Sequence, residues 1–416
     1  MTMEEEEHLF NKNFISVTVI NFAVYLVYYL LIVIIAVIAQ KQLHASLAEA
    51  GLASGIYIIG TLFARLIIGK KLEIIGRKNI LRYGGIAYLI TTAAYLYMPN
   101  LAILFAIRLL NGFCYGMVST ATNAIVTEYI PFSKRGEGIN YYGLSTSLAA
   151  AFGPLIGLLL LTYTNFYTII IISIILIVLS TLGSFILPVK EIEVNAEHLA
   201  TMKSCKLNTF MERKVLFISF IGLLMGLAYS SVLSFLASYA EVIHLVQISS
   251  FFFLVYAGAV TLTRPMSGKM FDRFGEDSVM YPSYIFLTLG LFALSFTTVG
   301  WQLLGSGVLV GLGYGTFMSN GQAVVLKTLR TESHKIGLGL STYFIGLDLG
   351  IGIGPYILGE LKNFISFQEM YLVAGILPLV CAVLYKIYYN PSKVTKEIEQ
   401  EIHHITENTQ HGKMAK

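Results

Sequence analysis

Twelve long apolar stretches dominate this chain, and they leave it few folds to choose from. They run over 14–39, 47–69, 80–98, 101–123, 138–162 and 164–187, then over 215–240, 247–268, 279–299, 301–325, 336–359 and 365–389. An α-helix needs about 20 apolar residues to cross the hydrocarbon of a bilayer. A barrel strand needs only about 10, with polar residues alternating along it. The stretches are too long for such strands and do not alternate, so they predict an all-α integral membrane protein of twelve transmembrane helices. Charge agrees: Lys, Arg, Asp and Glu make up 12% of the 416 residues, roughly half the share of a soluble domain. A soluble enzyme, a disordered chain and a disulfide scaffold are excluded. Cys114, Cys205 and Cys381 lie far apart and suggest neither a disulfide nor a metal framework. The opening MTMEEEEHLF is acidic, unlike the basic start of a cleaved leader, so the first stretch is expected to stay as a span.

Lysine and arginine set the orientation, because cytoplasmic loops collect them. The connections after the second, fourth, sixth, eighth and tenth stretches hold seventeen of them, against Lys41 and Lys362 on the other side. Both termini are therefore expected in the cytoplasm. Abundant Ile, Lys and Asn, with no outward glycosylation sequon, fit a bacterial plasma membrane. The net charge of +4 then records topology rather than a ligand preference, and no basic stripe with aromatic platforms marks a nucleic-acid surface. The polar connection 188–213 divides the chain into bundles 1–187 and 214–389, and 390–416 reads as a cytoplasmic tail.

An internal repeat supports that division. Shifting the second half back by 199 residues lays Arg264 on Arg65, Gly268 on Gly69, Lys269 on Lys70, Asp272 on Glu73 and Gly275 on Gly76. The same shift lays Gly311 on Gly112, Tyr314 on Tyr115, Gly315 on Gly116 and Gly337 on Gly138. Six spans per half keep both halves in one orientation, a parallel repeat whose axis runs along the membrane normal. Such pairs enclose a site at the midplane and expose it to either side in turn.

The loop after the second span reads Gly69-Lys-Lys-Leu-Glu73-Ile-Ile-Gly76-Arg77-Lys78, and its second copy reads Gly268-Lys-Met-Phe-Asp272-Arg273-Phe-Gly275. Both resemble the G-x-L-x-D-R-x-G-R-K signature of the major facilitator superfamily. Arg108-Leu-Leu-Asn111-Gly112 is similar to the R-x-x-Q-G motif of its proton-coupled members. Gly153-Pro154-Leu-Ile-Gly157 is similar to part of the G-P-x-x-G-G antiporter motif, and Gly354-Pro355 echoes it in the eleventh span. The resemblance covers nearly the whole chain and points to the twelve-helix drug/proton antiporter branch, with two pseudo-symmetric six-helix bundles. Two departures stand out: Glu73 replaces the usual Asp, and Leu158 the second glycine after Pro154.

The loop residues also have a physical reading of their own. Gly69 and Gly268 let helices approach closely, and Gly76 and Gly275 permit the backbone of a short turn. Glu73 and Asp272 can face a helix N-terminus of the other half, where a carboxylate is favoured. The resemblance implies that such latches, with Arg77 and Arg273, hold the cytoplasmic side shut. Lys70, Lys71 and Lys78 need do no more than fix topology.

Charges inside the membrane cost at least ~2.5–3.5 kcal/mol each and need a reason. Asp348 lies well inside the eleventh span, the only carboxylate so placed. Burial there disfavours its charged form, which suits it either to carry a proton or to act as a structural or gating acid. Arg108 either takes part in proton coupling, as the motif implies, or snorkels outward or is pinned to backbone carbonyls. Arg65 and Arg264, near the cytoplasmic ends of their spans, read as snorkelling or as clamps between helices, and Glu128 as an ordinary helix-end acid. Asn21, Tyr25 and Tyr28 share one face of the first span. With Asn111, Tyr115, Tyr229, Tyr314, Asn320 and Gln322 they are the candidate substrate cavity, although a tyrosine in a span equally serves packing or the interfacial belt.

No phosphate-binding loop, metalloprotease motif, nucleophile elbow or buried carboxylate pair is present, so no enzyme activity, cofactor or metal is expected. The expected function is a monomeric, proton-coupled exporter of small amphipathic or drug-like organic molecules. The alternatives are an exporter of an endogenous product such as a metallophore or sugar, a proton-coupled importer, and a membrane sensor with a transporter-like fold.

Overall fold

The computed structural model describes residues 9–45, 47–189, 210–249, 251–362 and 364–389. Cys205, most of the connection 188–213 and the tail 390–416 lie outside the described residues. Each apolar stretch becomes a helix: α1 (Lys12–Leu43), α2 (Leu47–Ile75), α3 (Arg77–Ala93), α4 (Leu101–Val126), α5 (Arg135–Tyr163) and α6 (Phe166–Ile186). The second half follows with α7 (Leu216–Val242), α8 (Phe252–Phe274), α9 (Asp277–Ser295), α10, α11 (Ile336–Lys362) and α12 (Phe367–Tyr388). α10 is built of Gly300–Val310 and Thr316–Thr328, joined by a π-helical turn over Gly311–Gly315. Among the described residues, nine helices are long and apolar enough to cross a membrane on their own. α3, α5 and α10 complete the twelve.

Local chemistry places the helix ends. Asn11, Asn100 and Asn165 accept hydrogen bonds from the backbone N–H groups of Phe14, Ile103 and Thr168, starting α1, α4 and α6. Ser366 and Glu369 form a reciprocal capping box at α12. Gly76 and Gly275 take φ of 95° and 81°, conformations that favour glycine. They close the short turns from α2 to α3 and from α8 to α9.

The outer face is apolar, as a bilayer demands, and the polar side chains of the spans are buried within a largely apolar core. Leu182, Ile186, Leu262 and Trp301 project outward, while Asn21, Asn111, Thr122, Asn140 and Asn320 are buried. The buried amides bond across helices, Asn21 to Ser145 and Thr146 and Asn140 to Asn320. Glycines bring helices into near-backbone contact within each bundle. A Cβ on Gly112 would lie 2.1 Å from the Tyr57 carbonyl oxygen, and one on Gly311 2.7 Å from that of Tyr256. Gly153 and Gly157 seat α5 on α1, and Gly354 seats α11 on Ser230 of α7. Pro154 and Pro355 stand within α5 and α11, but their side chains are outside the described set.

The two six-helix bundles meet through α2 against α11 and α5 against α8 and α10. This is the pairwise exchange expected of a two-fold repeat, since α2 and α8, and α5 and α11, hold the same place in each half.

Candidate functional site

The ends of the bundles that carry the repeated loops are joined first. A Cβ on Gly69 would lie 2.2 Å from Ser341 Oγ, and one on Gly268 2.7 Å from Glu137 Cα, so both glycines mark places where α2 meets α11 and α8 meets α5. Asp272 accepts hydrogen bonds from the backbone N–H groups of Gly136 and Glu137, each 2.7 Å long. The carboxylate thus caps the N-terminus of α5 from the other bundle. Arg135 beside it donates to the Leu326 carbonyl across the same interface, 2.9 Å. Burial and the charge of Arg330 lower the Arg135 guanidinium to about 10, so it remains cationic at neutral pH.

Glu73 is placed differently from Asp272. Its Oε1 lies 3.2 Å from where a Cβ of Gly337 would stand in the first turn of α11, but it also grips Arg77 at 2.6 Å. Arg77, fully buried, reaches Glu128 as well. Glu128 is therefore no ordinary helix-end acid but the third member of a buried charge cluster, and Arg77 is its centre. Lys70 departs from its expected role too: it is buried, with Nζ 4.0 Å above the Phe210 ring. Arg273 stays exposed near Phe274.

Above this closure a central cavity encloses about 810 Å³ of empty space, part of it open to solvent. Of the expected wall residues, Tyr25, Tyr28, Tyr115, Tyr314 and Gln322 line it. Asn21, Asn111, Tyr229 and Asn320 do not. Asn21 is held by Ser145, Thr146 and Thr122, and Asn111 by Thr91, Thr92 and Tyr95. Asn320 bonds to Asn140 and the Thr316 carbonyl. These amides satisfy one another inside the protein because an unpaired amide there is expensive.

The aromatic clusters form a partial repeat, the first on the cavity wall and the second reaching it through Tyr314. Tyr28, Tyr57 and Tyr115 cluster with centroids 5.0–5.5 Å apart in one bundle. Tyr229 stacks on Tyr314 at 4.0 Å and lies 5.7 Å from Tyr256 in the other. Tyr57 and Tyr256 stand 199 positions apart, as do Tyr115 and Tyr314. Asn123 and Gln322, again 199 apart, touch across the two-fold axis at 3.0 Å. Neither Tyr57, Tyr256 nor Asn123 was singled out by sequence, yet the 199-residue shift was the signal that could have found them.

The charges settle unequally. Asp348 accepts from Arg65 Nε at 2.7 Å, with the two side chains 20% and 3% exposed. Arg65 also lies over the Phe344 ring at 4.7 Å. Its stem does not snorkel outward. It clamps α2 to α11 on the cavity wall, a pairing missed because the partners are 283 residues apart. Arg108 joins no carboxylate among the described residues. It donates to the carbonyls of Ala53 and Ser54 and to the Tyr95 hydroxyl, over the Tyr57 ring. Its donors are thus taken up within its own bundle, away from the cavity wall. Arg264 is buried as deeply, with one hydrogen bond to the Gly315 carbonyl at 3.3 Å. Among the described residues, no group of three or more His, Cys, Asp or Glu side chains could hold a metal ion.

Comparison with known proteins places this arrangement. A family model described as Major Facilitator Superfamily matches residues 17–329 and, overlapping them, 247–411. An MFS-type transporter of Methanocaldococcus jannaschii is 21% identical over 360 residues, covering 84% of this chain and 91% of that protein. The staphylopine export protein of Staphylococcus aureus is 22% identical, covering 82% and 88%. Multidrug resistance protein MdtG of Escherichia fergusonii is 23% identical, covering 71% and 72%. Among solved structures, the transporter FucP in its outward conformation superposes with a TM-score of 0.68 at 14% identity, over 91% of this chain and 100% of that one. Human MFSD10 gives 0.65 at 14% identity, over 89% and 98%.

Proposed function

The chain belongs to the Major Facilitator Superfamily, and from that premise we propose that it exports small organic molecules in exchange for protons by alternating access. It is a multi-pass membrane transporter, not an enzyme. The observation that carries the finer reading is the ion pair of Arg65 and Asp348, which joins one bundle to the other on the cavity wall. While Asp348 is ionised, the pair holds α2 against α11 in a medium of low dielectric constant. Protonation removes one of the two charges, weakens the clamp and frees the bundles to part. Asp272 on α5 and Glu73 beside α11 hold the cytoplasmic side shut in a state whose cavity takes its proton from outside.

In this reading 1–187 and 214–389 are the rocking bundles, 188–213 is their cytoplasmic connection, and both termini lie in the cytoplasm of a bacterial plasma membrane. A monomer suffices, because the cavity lies within one chain. Relatives named for staphylopine export and multidrug resistance support export as the direction. The tyrosine wall suits amphipathic cargo through stacking. The test is transport of ethidium by proteoliposomes under an imposed pH gradient. Asp348→Asn should lose gradient-driven transport while keeping gradient-free exchange of the dye. Undiminished gradient-driven transport would remove Asp348 from the mechanism.

A further inference from the structure

Two arginines 199 residues apart occupy matching places in the two halves, but among the described residues only one has a counterion. Arg65 has Asp348. The Gly-Pro pairs at 153–154 and 354–355 align α11 with α5 at a shift of 201. At that shift Asp348 falls on Ser147, and Phe344, which lies under the Arg65 guanidinium, falls on Gly143. The second half of the pair is thus missing from the sequence opposite Arg264, both as a carboxylate and as a ring.

The structure shows what that omission leaves. Arg264 is 1% exposed. Its Nη2 makes the single 3.3 Å bond to the Gly315 carbonyl, and its Nε and Nη1 have no partner among the described residues. Burying a guanidinium in that condition costs more than burying a paired one, because the unmet donors have lost water and gained nothing. The guanidinium lies directly behind the cavity wall: a Cβ on Gly143 would stand 2.1 Å from Nη1 and 2.8 Å from Ser319 Oγ. Gly143 and Ser319 both belong to the cavity wall, and Ser319 Oγ also has no partner among the described residues. Across the cavity, Arg65 Nη1 is unmet as well.

Charge counting gives the same answer. On the cavity wall the charges of Arg65 and Asp348 cancel. Arg108 is occupied by backbone carbonyls and Arg77 by Glu73 and Glu128. Of the helices that pack on α8 near Arg264, α5 offers Glu137, which pairs with Lys269 at its far end. The charge of Arg264 is left over.

We propose that Arg264 receives the carboxylate of the transported molecule, with Ser319 as a second donor, so that the cavity selects organic anions or zwitterions over neutral analogues. A carboxylate can accept from the unpartnered Nη1–H with one oxygen and from the Ser319 hydroxyl with the other, a charge-assisted contact. The absence of a Cβ at Gly143 is what lets the guanidinium reach this part of the wall. This assignment rests on the reading of the cavity as the transport site, but it does not depend on proton coupling.

The test uses the full-length protein in nanodiscs, without any gradient, and three probes of one shape: 2-naphthoate, 2-naphthamide and 2-naphthyltrimethylammonium. Equilibrium binding should favour the carboxylate over the amide by about tenfold or more, the equivalent of one charge-assisted contact. Arg264→Gln should erase that preference by weakening the carboxylate's binding, with a melting temperature no lower than the parent's, and Arg264→Lys should keep part of it. Three probes bound equally, no binding of any, or a preference that survives in Arg264→Gln would overturn the assignment. A carboxylate preference lost in Arg264→Gln without any proton-driven transport would leave the assignment standing and sink the exchange mechanism alone.

Discussion

Asp272→Asn should loosen the closure between α8 and α5 by a predictable amount. The carboxylate holds two backbone N–H groups of the opposite bundle, each at 2.7 Å, and faces the positive end of α5. Hydrogen bonds to a charged acceptor contribute about 1.5–3 kcal/mol each where water is excluded, and the helix end about 0.3–1 kcal/mol more. Here the side chain is exposed, so water screens the charge and replaces part of what is lost. Asparagine keeps one acceptor oxygen. The net loss should be about 1–2 kcal/mol, or roughly 5–30-fold in the opening equilibrium. Hydrogen exchange reads this directly, because the donors are amides: exchange at Gly136 and Glu137 should accelerate by that factor, while amides deeper in α5 stay unchanged. Exchange within twofold of the parent protein would refute the reasoning, and Asp272 would then be no latch.

Two further tests follow from distances. Asp348→Asn leaves Arg65 buried without its counterion and should cost about 2–3 kcal/mol, somewhat less than a wholly buried pair because Asp348 is partly exposed; adding Arg65→Gln should recover at least half of the lost melting temperature in detergent. Gly69→Ala puts a Cβ 2.2 Å from Ser341 Oγ and 2.3 Å from its Cβ, which should wedge α2 from α11 and cut transport at least tenfold, with Ser341→Gly restoring it in the double variant.

How much of this was legible depends on the range of each interaction. The helices were legible because the bilayer sets their length, and the break in α10 escaped notice because a π-helical turn leaves no gap in hydropathy. Asp272 was legible as a cap because its motif repeats and a carboxylate near a helix start has a local reason. Glu73 was half legible: its motif showed where it stands, but not that Arg77, four residues on, and Glu128 would share it. Arg65 was legible as a clamp between helices but its partner was not, because depth is counted along one helix and the carboxylate it meets is on α11. The buried amides were taken for cavity wall for the opposite reason. Polarity in a span announces that a partner exists, but not whether that partner is cargo or the next helix.

The sign of the cargo's charge decides how cargo and proton are coupled, and this joins the two proposals. Linkage between bound species is reciprocal: whatever favours a proton on Asp348 is itself favoured by that proton. A plain anion at Arg264 adds negative charge to a cavity in which Asp348 is already negative, so anion and proton attract and would travel the same way. Exchange requires the reverse, a positive group that takes the proton's place beside Asp348. Both conditions are met by a zwitterion whose carboxylate lies on Arg264 and whose cationic end displaces the proton and competes with Arg65 for Asp348. The unequal halves then have a physical purpose. Had Ser147 been an aspartate, Arg264 would be neutralised like Arg65, and the cavity would have nothing left to hold the cargo's negative end.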